Sequence, residues 1–182
     1  MLDADIYGYS IPRMLGLQGR PYMLDEKTIL PMEAHGVKAI SIGNLVDEDT
    51  PIIWRGPLLG KMLEQFLTDV YWGDLDYLLL DLPPGTGDMA LSVQQMIPRS
   101  ELVLVTTPQA ASVNVASRVA NFAKKTNQTV IGVIENMAYF ICPHCSEATE
   151  IFGRGGGAKL AGVMGVPLLG RVPLAPACLL YT

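Results

Sequence analysis

Two cysteines separated by two residues, Cys142 and Cys145, form the clearest metal-binding pattern in the sequence. The thiolates of one C-x-x-C pair supply half of a four-thiolate site for zinc or for an iron–sulfur cluster. Cys178 is isolated and His144 lies inside the loop, so the missing ligands could come from a second copy of the chain. A structural zinc knuckle is one alternative. A thiol redox pair is another, although Pro143 and the polar stretch after it disfavour the helix that such a pair normally opens.

A carboxylate suited to nucleotide chemistry is Asp81, which lies in the apolar stretch YLLLDL and is followed by PPGTGD. At the carboxyl end of a buried strand, a carboxylate can hold a water of a Mg²⁺ ion beside nucleotide phosphates. Gly85 and Gly87 leave backbone N–H groups free to approach a γ-phosphate. The pattern indicates a Walker B strand and a switch loop, with a plain tight turn as the alternative. A dinucleotide-binding G-x-G-x-x-A loop is rejected, because two prolines separate the strand from the glycines.

The opening segment LDADIYGYS places Asp3, Asp5 and Ser10 at the end of another predicted strand. Carboxylates just past a strand suit the activation of a water molecule or an indirect contact with a metal. Solvated loop acids are the alternative when the segment is read in isolation.

The composition of the 182 residues limits the classes of protein to consider. A net charge of −5 gives no electrostatic reason to expect nucleic acid as the main partner. The start MLDADIYG lacks the features of a secretory signal, and no apolar run approaches the roughly 18 residues that span a bilayer. We therefore expect a cytoplasmic protein with reduced thiols and no membrane partner.

Short apolar runs alternate with helical patterns along the chain, which predicts a doubly wound α/β fold with a mostly parallel sheet. Ligands of such folds bind at the carboxyl ends of the strands. The polar stretch from Cys142 to Glu150 is expected to form a small hairpin or knuckle. The predicted strands are residues 1–7, 37–43, 76–82, 101–107, 129–135 and 167–173, and the predicted helices cover about 57–72, 88–96, 112–125 and 157–164.

In combination, these motifs resemble those of the Mrp/ApbC family. Members of this family are P-loop ATPases that carry iron–sulfur clusters, and the family is grouped with the MinD and nitrogenase-iron-protein ATPases. The resemblance covers about residues 1–176 and is specific, because several matching stretches are long and unusual in composition. They are DADIYG near the start, IWRGP (53–57), WGDLDYLLLDLPPGTGD (72–88), TTPQ (106–109), VIENMAYFICPHC (133–145), IFGRGGG (151–157) and GRVPL (170–174).

The resemblance implies roles for the candidate nucleotide-binding residues. Asp3 and Asp5 match the switch I region, with Asp5 as the water-activating carboxylate, and Ser10 lies in the same switch segment. Asp81 matches the Walker B aspartate. Asn136 matches an asparagine that reads the adenine ring, where a turn asparagine would otherwise be the default interpretation. ATP and Mg²⁺ are the implied ligands of this part of the chain.

For the cysteine pair, the resemblance implies a labile cluster, expected to be [4Fe-4S], that bridges a homodimer. Cys142 and Cys145 of each subunit would ligate it, and the cluster would pass to apo iron–sulfur proteins. A positioning ATPase of the MinD or ParA type is the rival interpretation, and an inactive fragment is a third. A positioning ATPase has no need of CPHC, and a membrane-directed one would end in a basic amphipathic helix, which the sequence lacks.

The sequence departs from the family in three places. No G-x-x-x-x-G-K-[ST] loop is present, so we expect a single domain over residues 1–176 that lacks the Walker A strand and helix, and the ATPase activity of this chain stays open. Tyr9 replaces a usual proline, which loosens the switch turn, and residues 177–182 form an atypical tail. Without the strand beside Walker B, residues 77–82 should have an unpaired edge and the chain should be marginally stable or aggregation-prone.

Overall fold

The computed structural model describes residues 1–5, 8–45, 56–83, 88–109, 118 and 120–176. The chain divides into two compact units, the first spanning Met1–Met96 and the second beginning at Ile97. The prediction of one domain over 1–176 stays a prediction, and the proposed tail lies outside the described residues.

The first unit is built on a four-stranded sheet with the order β4-β5-β1-β6. Strands β5, β1 and β6 are parallel, and β4 is antiparallel to β5. A separate two-stranded antiparallel hairpin pairs β2 with β3. The elements are β1 (Leu2–Asp3), α1 (Ile11–Met14), β2 (Tyr22–Met23), β3 (Ile29–Leu30), β4 (Met32–Ala34), β5 (Val37–Ser41), a 3-10 helix (Ile42–Asn44), α2 (Gly56–Thr68), β6 (Leu80–Asp81) and α3 (Asp88–Met96).

The core of the first unit forms where the apolar stripe of α2 packs on the sheet. Leu63 and Phe66 from α2 are buried against Leu2 and Ile40 from the central strands, and Met89 of α3 joins them. Burial of one such side chain stabilises a fold by roughly 1.5–3 kcal/mol. The apolar stripe therefore fixes which face of α2 meets the sheet.

Helix α2 ends at Thr68, four residues before the predicted end at Trp72. Val70 forms a parallel bridge with Ile29 instead of continuing the helix. The indole Nε1 of Trp72 donates to the carbonyl oxygen of Phe66 at 3.0 Å. Since the last four carbonyls of a helix lack intrahelical partners, this bond satisfies one of them and helps to end α2.

The second unit contains a parallel three-stranded sheet with the order β11-β8-β7 and an antiparallel hairpin of β9 and β10. Its buried core joins Leu104 and Val133 of the sheet to Leu160 and Ala161 of α5. The elements are β7 (Glu101–Thr106), α4 (helical at residues 120–125), β8 (Thr129–Glu135), β9 (Phe140–Ile141), β10 (Ala148–Thr149), α5 (Gly156–Met164) and β11 (Leu168–Arg171).

The predicted α/β fold with a mostly parallel sheet is confirmed. The predicted bounds of β8 and α3 match those observed, and the hairpin expected between Cys142 and Glu150 is present as the β9–β10 pair. The sequence analysis missed α1 and the strands β2, β3 and β4, which are only two to four residues long. Elements this short carry no complete hydrophobic period, so tertiary contacts determine them.

The expected unpaired edge beside the predicted Walker B strand is also observed. Among the described residues, β6 pairs with β1 on one side only. In the second unit, Val103 and Val105 of β7 are 41% and 61% exposed on the sheet face opposite the core residue Leu104. An open edge and a bare apolar face both favour association with other chains. Low stability or aggregation of the isolated chain stays a prediction.

Candidate functional site

The acidic residues of the first unit meet because their strands are parallel and adjacent. In the register of the sheet, Asp3 at the end of β1 lies beside Asp81 at the end of β6 and beside Ser41 at the end of β5. Carboxyl ends of parallel strands share one edge of the sheet, which is where α/β folds bind ligands. The structure therefore brings Asp3 and Asp81 together.

Asp3 is fully buried, and its carboxylate accepts hydrogen bonds from its surroundings. Ser41 Oγ donates to its Oδ2 at 3.0 Å, and the backbone N–H of Asp5 donates to its Oδ1 at 3.2 Å. The same Ser41 hydroxyl accepts from the backbone N–H of Gly43 at 3.2 Å. Sequence analysis missed Ser41, although its position at the end of the apolar run VKAIS was a usable signal.

Asp5 and Ser10 have different environments. Asp5 Oδ1 accepts from the backbone N–H of Gly8 at 3.1 Å. Ser10 is exposed at the N-terminal cap of α1, and its hydroxyl makes a long contact of 4.0 Å with Met14 Sδ. Gly85 and Gly87, the predicted phosphate-contacting glycines, lie outside the described residues.

Tyr9, where the family usually has proline, packs its ring against the backbone of Gly43. A Cβ on Gly43 would lie 2.2 Å from Tyr9 Cδ2, so the ring occupies the space that a side chain would need. The aromatic ring thus gives this turn a packing contact with the segment after β5, in place of the rigidity that proline would supply.

Burial raises the pKa of Asp3 above its ordinary value of 3.8, against the opposing effects of Ser41 and the Asp5 N–H, and the charge of Asp81 raises it further. Burial likewise raises the pKa of Asp81, with the charge of Asp5 as the second cause. Such a group of carboxylates is suited to a cation. In the part of the chain that the structure describes, no three His, Cys, Asp or Glu side chains form a metal site. Contact through water, which Mg²⁺ commonly retains, fits this arrangement.

The raised pKa of Asp3 predicts that this acid reduces stability at neutral pH. The native state holds the proton to a higher pH than the unfolded chain, so stability should fall as pH rises from 3.8 through the native pKa and then level off. We expect Asp3→Asn to raise the free energy of unfolding at pH 7, because the amide keeps the buried position without a charge. Urea unfolding between pH 4 and pH 7 measures this.

Asp25 provides a control, because its pKa is shifted in the opposite direction to that of Asp3. Its carboxylate is exposed and accepts from Lys27 N and from the N–H and hydroxyl of Thr28, which lower its pKa. The ionised carboxylate of Asp25 stabilises the native state at pH values above its pKa in the unfolded chain, and this stabilisation is lost as the pH falls through the lowered native pKa. Asp25→Asn should therefore reduce the stability at pH 7. An Asp3→Asn protein less stable than the wild type at pH 7 would contradict the assignment of Asp3 as a costly buried acid.

The cysteine pair of the second unit lies in the turn of the β9–β10 hairpin. The backbone N–H of Cys142 donates to Glu147 O at 3.0 Å, and Ser146 N–H donates to Cys142 O at 2.8 Å. Ser146 has a φ of 59°, so the chain turns in the left-handed region directly after the second cysteine. Cys142 is half-buried and Cys145 is exposed. Both sulfur atoms thus belong to one tight turn at an accessible position.

The turn also favours the thiolate form of Cys142. The backbone N–H groups of Cys145 and His144 donate to its sulfur and lower its pKa below 9.0, and the thiol of Cys145 adds a further hydrogen bond. Metals bind the thiolate, so a backbone that stabilises this form lowers the cost of metal binding. A pair of neighbouring thiols in one turn is the arrangement expected of a metal or cluster ligand pair.

Asn136 lies directly after β8, as predicted. Its backbone N–H donates to Thr106 O at 2.8 Å, and its Oδ1 accepts from Met137 N at 2.9 Å. The second bond is that of a turn asparagine, and Met137 has a φ of 53° in this turn. Recognition of adenine by Asn136 stays a prediction.

An ion-pair network centred on one buried glutamate, beside the hairpin, was missed by the sequence analysis. Glu135 is 1% exposed, and its carboxylate accepts from Gly157 N at 2.6 Å and from Arg171 Nε at 3.1 Å. Arg171 Nη2 in turn donates to Glu150 Oε1 at 2.9 Å. The usable signal was Glu135 itself, an acid that ends an otherwise apolar strand, because a buried carboxylate requires a partner.

No helix among the described residues is long and apolar enough to cross a membrane.

The parallel strands with acids at their carboxyl ends define an α/β protein of the P-loop NTPase type, and comparison with known proteins identifies the family. The family model described as ParA, NUBPL iron-transfer P-loop NTPase, matches residues 1–181, and the chain belongs to this family. The recognition made from the sequence motifs is thereby confirmed.

Individual relatives agree with the family assignment. The chain is 53% identical over 97% of its length to an iron-sulfur cluster carrier protein of Mycobacterium leprae, of which it covers 47%. A nucleotide-binding protein from Archaeoglobus fulgidus, solved in complex with ADP, superposes with a TM-score of 0.80 at 37% identity. The superposition covers 99% of this chain and 70% of the A. fulgidus chain. The septum site-determining protein MinD of Pyrococcus horikoshii superposes with a TM-score of 0.62 at 22% identity. The superposition covers 96% of this chain and 68% of the MinD chain, and it shows a shared fold alone.

The chain spans about half the length of the curated relatives it matches.

Proposed function

We propose that this chain is the cluster-binding part of an ATP-dependent iron–sulfur cluster carrier. The observation that carries the proposal is the hairpin turn between β9 and β10, which presents Cys142 and Cys145 together with Cys145 exposed. Relatives at about half identity are named iron-sulfur cluster carrier proteins, which supports the same cargo here.

The cluster would be shared between two copies of the chain. The described residues contain no group of three metal-ligating side chains, so one hairpin offers two thiolates where a cluster needs four. A two-fold axis would bring the same turn of a second copy to the opposite side of the cluster. We infer a homodimer that holds a labile [4Fe-4S] cluster and passes it to apo iron–sulfur proteins. The cargo requires a compartment that keeps thiols reduced, such as the cytoplasm.

The acids of the first unit would serve the nucleotide. Asp81 and Asp3, whose pKa values are raised by burial, would gain from a nearby Mg²⁺ held with its waters against ATP phosphates. Asp5 would orient or accept a proton from the attacking water, and Asn136 would contact the adenine ring. Ser10, Gly85 and Gly87 would belong to the loops that change with the bound nucleotide.

Anaerobic purification followed by iron and acid-labile sulfide analysis tests the proposed cargo. A cluster carrier should contain iron and sulfide in equal amounts and elute as a dimer when loaded, with a visible charge-transfer absorption. Zinc without sulfide would instead identify the hairpin as a structural knuckle. A protein that binds neither iron with sulfide nor zinc after anaerobic reconstitution would refute the metal-binding assignment altogether.

A further inference from the structure

One arginine contacts both stems of the cysteine hairpin. Arg171 Nη2 donates to Ala138 O at 3.5 Å, and its guanidinium lies 5.7 Å from the centre of the Tyr139 ring, both just before β9. The same Nη2 donates to Glu150 Oε1 at 2.9 Å, just after β10. A planar guanidinium can make several directed contacts at once, which suits it to join two strands of chain.

Arg171 is itself fixed to the sheet by a buried anchor. Its Nε donates to the carboxylate of Glu135, and that carboxylate also caps α5 by accepting from Gly157 N at 2.6 Å. Gly157 has no room for a side chain, since a Cβ there would lie 2.7 Å from Glu135 Cβ. Because Glu135 is buried, its position is set by β8 and α5, and Arg171 transmits that position to the hairpin.

The two stems are held in different ways. The incoming stem is joined by main-chain bonds, from Ala138 N to Val172 O at 2.9 Å and from Leu174 N to Tyr139 O at 2.7 Å. The outgoing stem is joined to β11 through the Glu150–Arg171 ion pair. Loss of the arginine would therefore remove the link between the outgoing stem and β11, and the hairpin would be held to the sheet through its incoming stem, with β10 still paired to β9.

We propose that Arg171 is a positioning residue for cluster binding, which sets the direction in which the hairpin presents Cys142 and Cys145 without ligating the cluster. The inference rests on the proposed function and deepens it. A cluster bridged by two copies needs two thiolate pairs at a matched distance and angle, so a hairpin free to pivot holds it less well. Partners that orient metal ligands typically change metal affinity about 10- to 100-fold when removed.

Arg154 offers a matched control in the same network. Its Nε donates to Glu150 Oε2 at 2.5 Å, but its side chain is 81% exposed and lies after the hairpin. An exposed ion pair of this kind contributes little to stability. Arg154→Gln and Arg171→Gln therefore remove the same charge and one bond to the same glutamate, while only the second frees the hairpin from Glu135.

The experiment measures transfer of the cluster from anaerobically reconstituted protein to an iron chelator. Arg171→Gln should take up iron and sulfide like the wild type but release the cluster about 10-fold faster. Arg154→Gln should stay within about twofold, and the double variant Arg171→Gln/Glu150→Gln should release no faster than Arg171→Gln alone. Equal release rates for wild type and Arg171→Gln, or equal acceleration by both arginine variants, would overturn the proposal.

A Co²⁺ titration monitored by thiolate-to-cobalt absorption separates this inference from the proposed function. If the wild type holds no iron and sulfide, the carrier function fails. An approximately 10-fold weaker Co²⁺ affinity in Arg171→Gln, with Arg154→Gln unchanged, would still support positioning of the thiolates. Equal affinity of all three proteins would refute it. Should Arg171→Gln fail to fold, Glu150→Gln removes the ion pair between the outgoing stem and Arg171 and is expected to show the same acceleration.

Discussion

A protein in which serine replaces both Cys142 and Cys145 is expected to purify without iron, without acid-labile sulfide and without the dimer that depends on the cluster. The hydroxyl of serine is not ionised at neutral pH and is a poor ligand for iron, so the hairpin loses both of its ligands. Each single variant should fail as well, because a cluster shared between two copies would lose two of its four ligands. Metal analysis and size-exclusion chromatography under anaerobic conditions measure the loss.

The third cysteine supplies the control for this result. Cys178→Ser removes a thiol from the chain without altering the C-x-x-C turn, and it should keep iron, sulfide and dimer at wild-type levels. The Cys142 and Cys145 variants should unfold at nearly the wild-type urea concentration, because neither side chain is fully buried. Intact iron and sulfide in the Cys142→Ser/Cys145→Ser protein would refute the assignment of these residues as ligands.

Replacement of Glu135 by alanine is expected to cause the largest loss of stability among the substitutions considered. It removes a buried carboxylate and leaves the Gly157 N–H and one side of the Arg171 guanidinium without their acceptor. Removal of one partner from a fully buried pair costs about 3–5 kcal/mol. Because Arg171 is 37% exposed and water can solvate part of it, we expect about 2–3 kcal/mol. Urea unfolding at neutral pH measures the change.

Two further variants separate the parts of this effect. Glu135→Gln keeps an acceptor for the Gly157 N–H but removes the charge that Arg171 requires, so its loss should be intermediate. Glu101→Ala changes a glutamate that is exposed at the start of β7 and should alter stability by no more than about 0.5 kcal/mol. A Glu135→Ala protein within 1 kcal/mol of the wild type would show that the network contributes little to the fold.

Local sequence was sufficient for the elements whose pattern is complete within one segment. The apolar run TVIGVIE is long enough to predict a strand, and a strand is observed at Thr129–Glu135. The C-x-x-C pair needs only a turn between its members, and the prediction of a ligand pair rests on two residues three positions apart. Asp81 could also be assigned to the end of a strand from local sequence, because the apolar run that contains it is followed directly by two prolines.

Features that join distant segments could not be read in this way. Asp3 and Ser41 are 38 residues apart and meet only because β1 and β5 are neighbours in the sheet. Arg171 and Glu135 are 36 residues apart and meet because β11 adds to β8. Nothing in either segment states which strand will lie beside it, since that choice depends on the packing of the whole unit.

The sequence by itself therefore determined the α/β class, the family and the chemically active residue types, because these depend on local periodicity and on motifs. Only the tertiary structure decided the environment of those residues. Burial makes Asp3 and Asp81 weaker acids, backbone N–H groups make Cys142 a stronger one, and the Glu135–Arg171 pair fixes the hairpin. Desolvation and hydrogen bonding act over a few ångströms in space, and spatial neighbours are set by strand pairing, not by chain order.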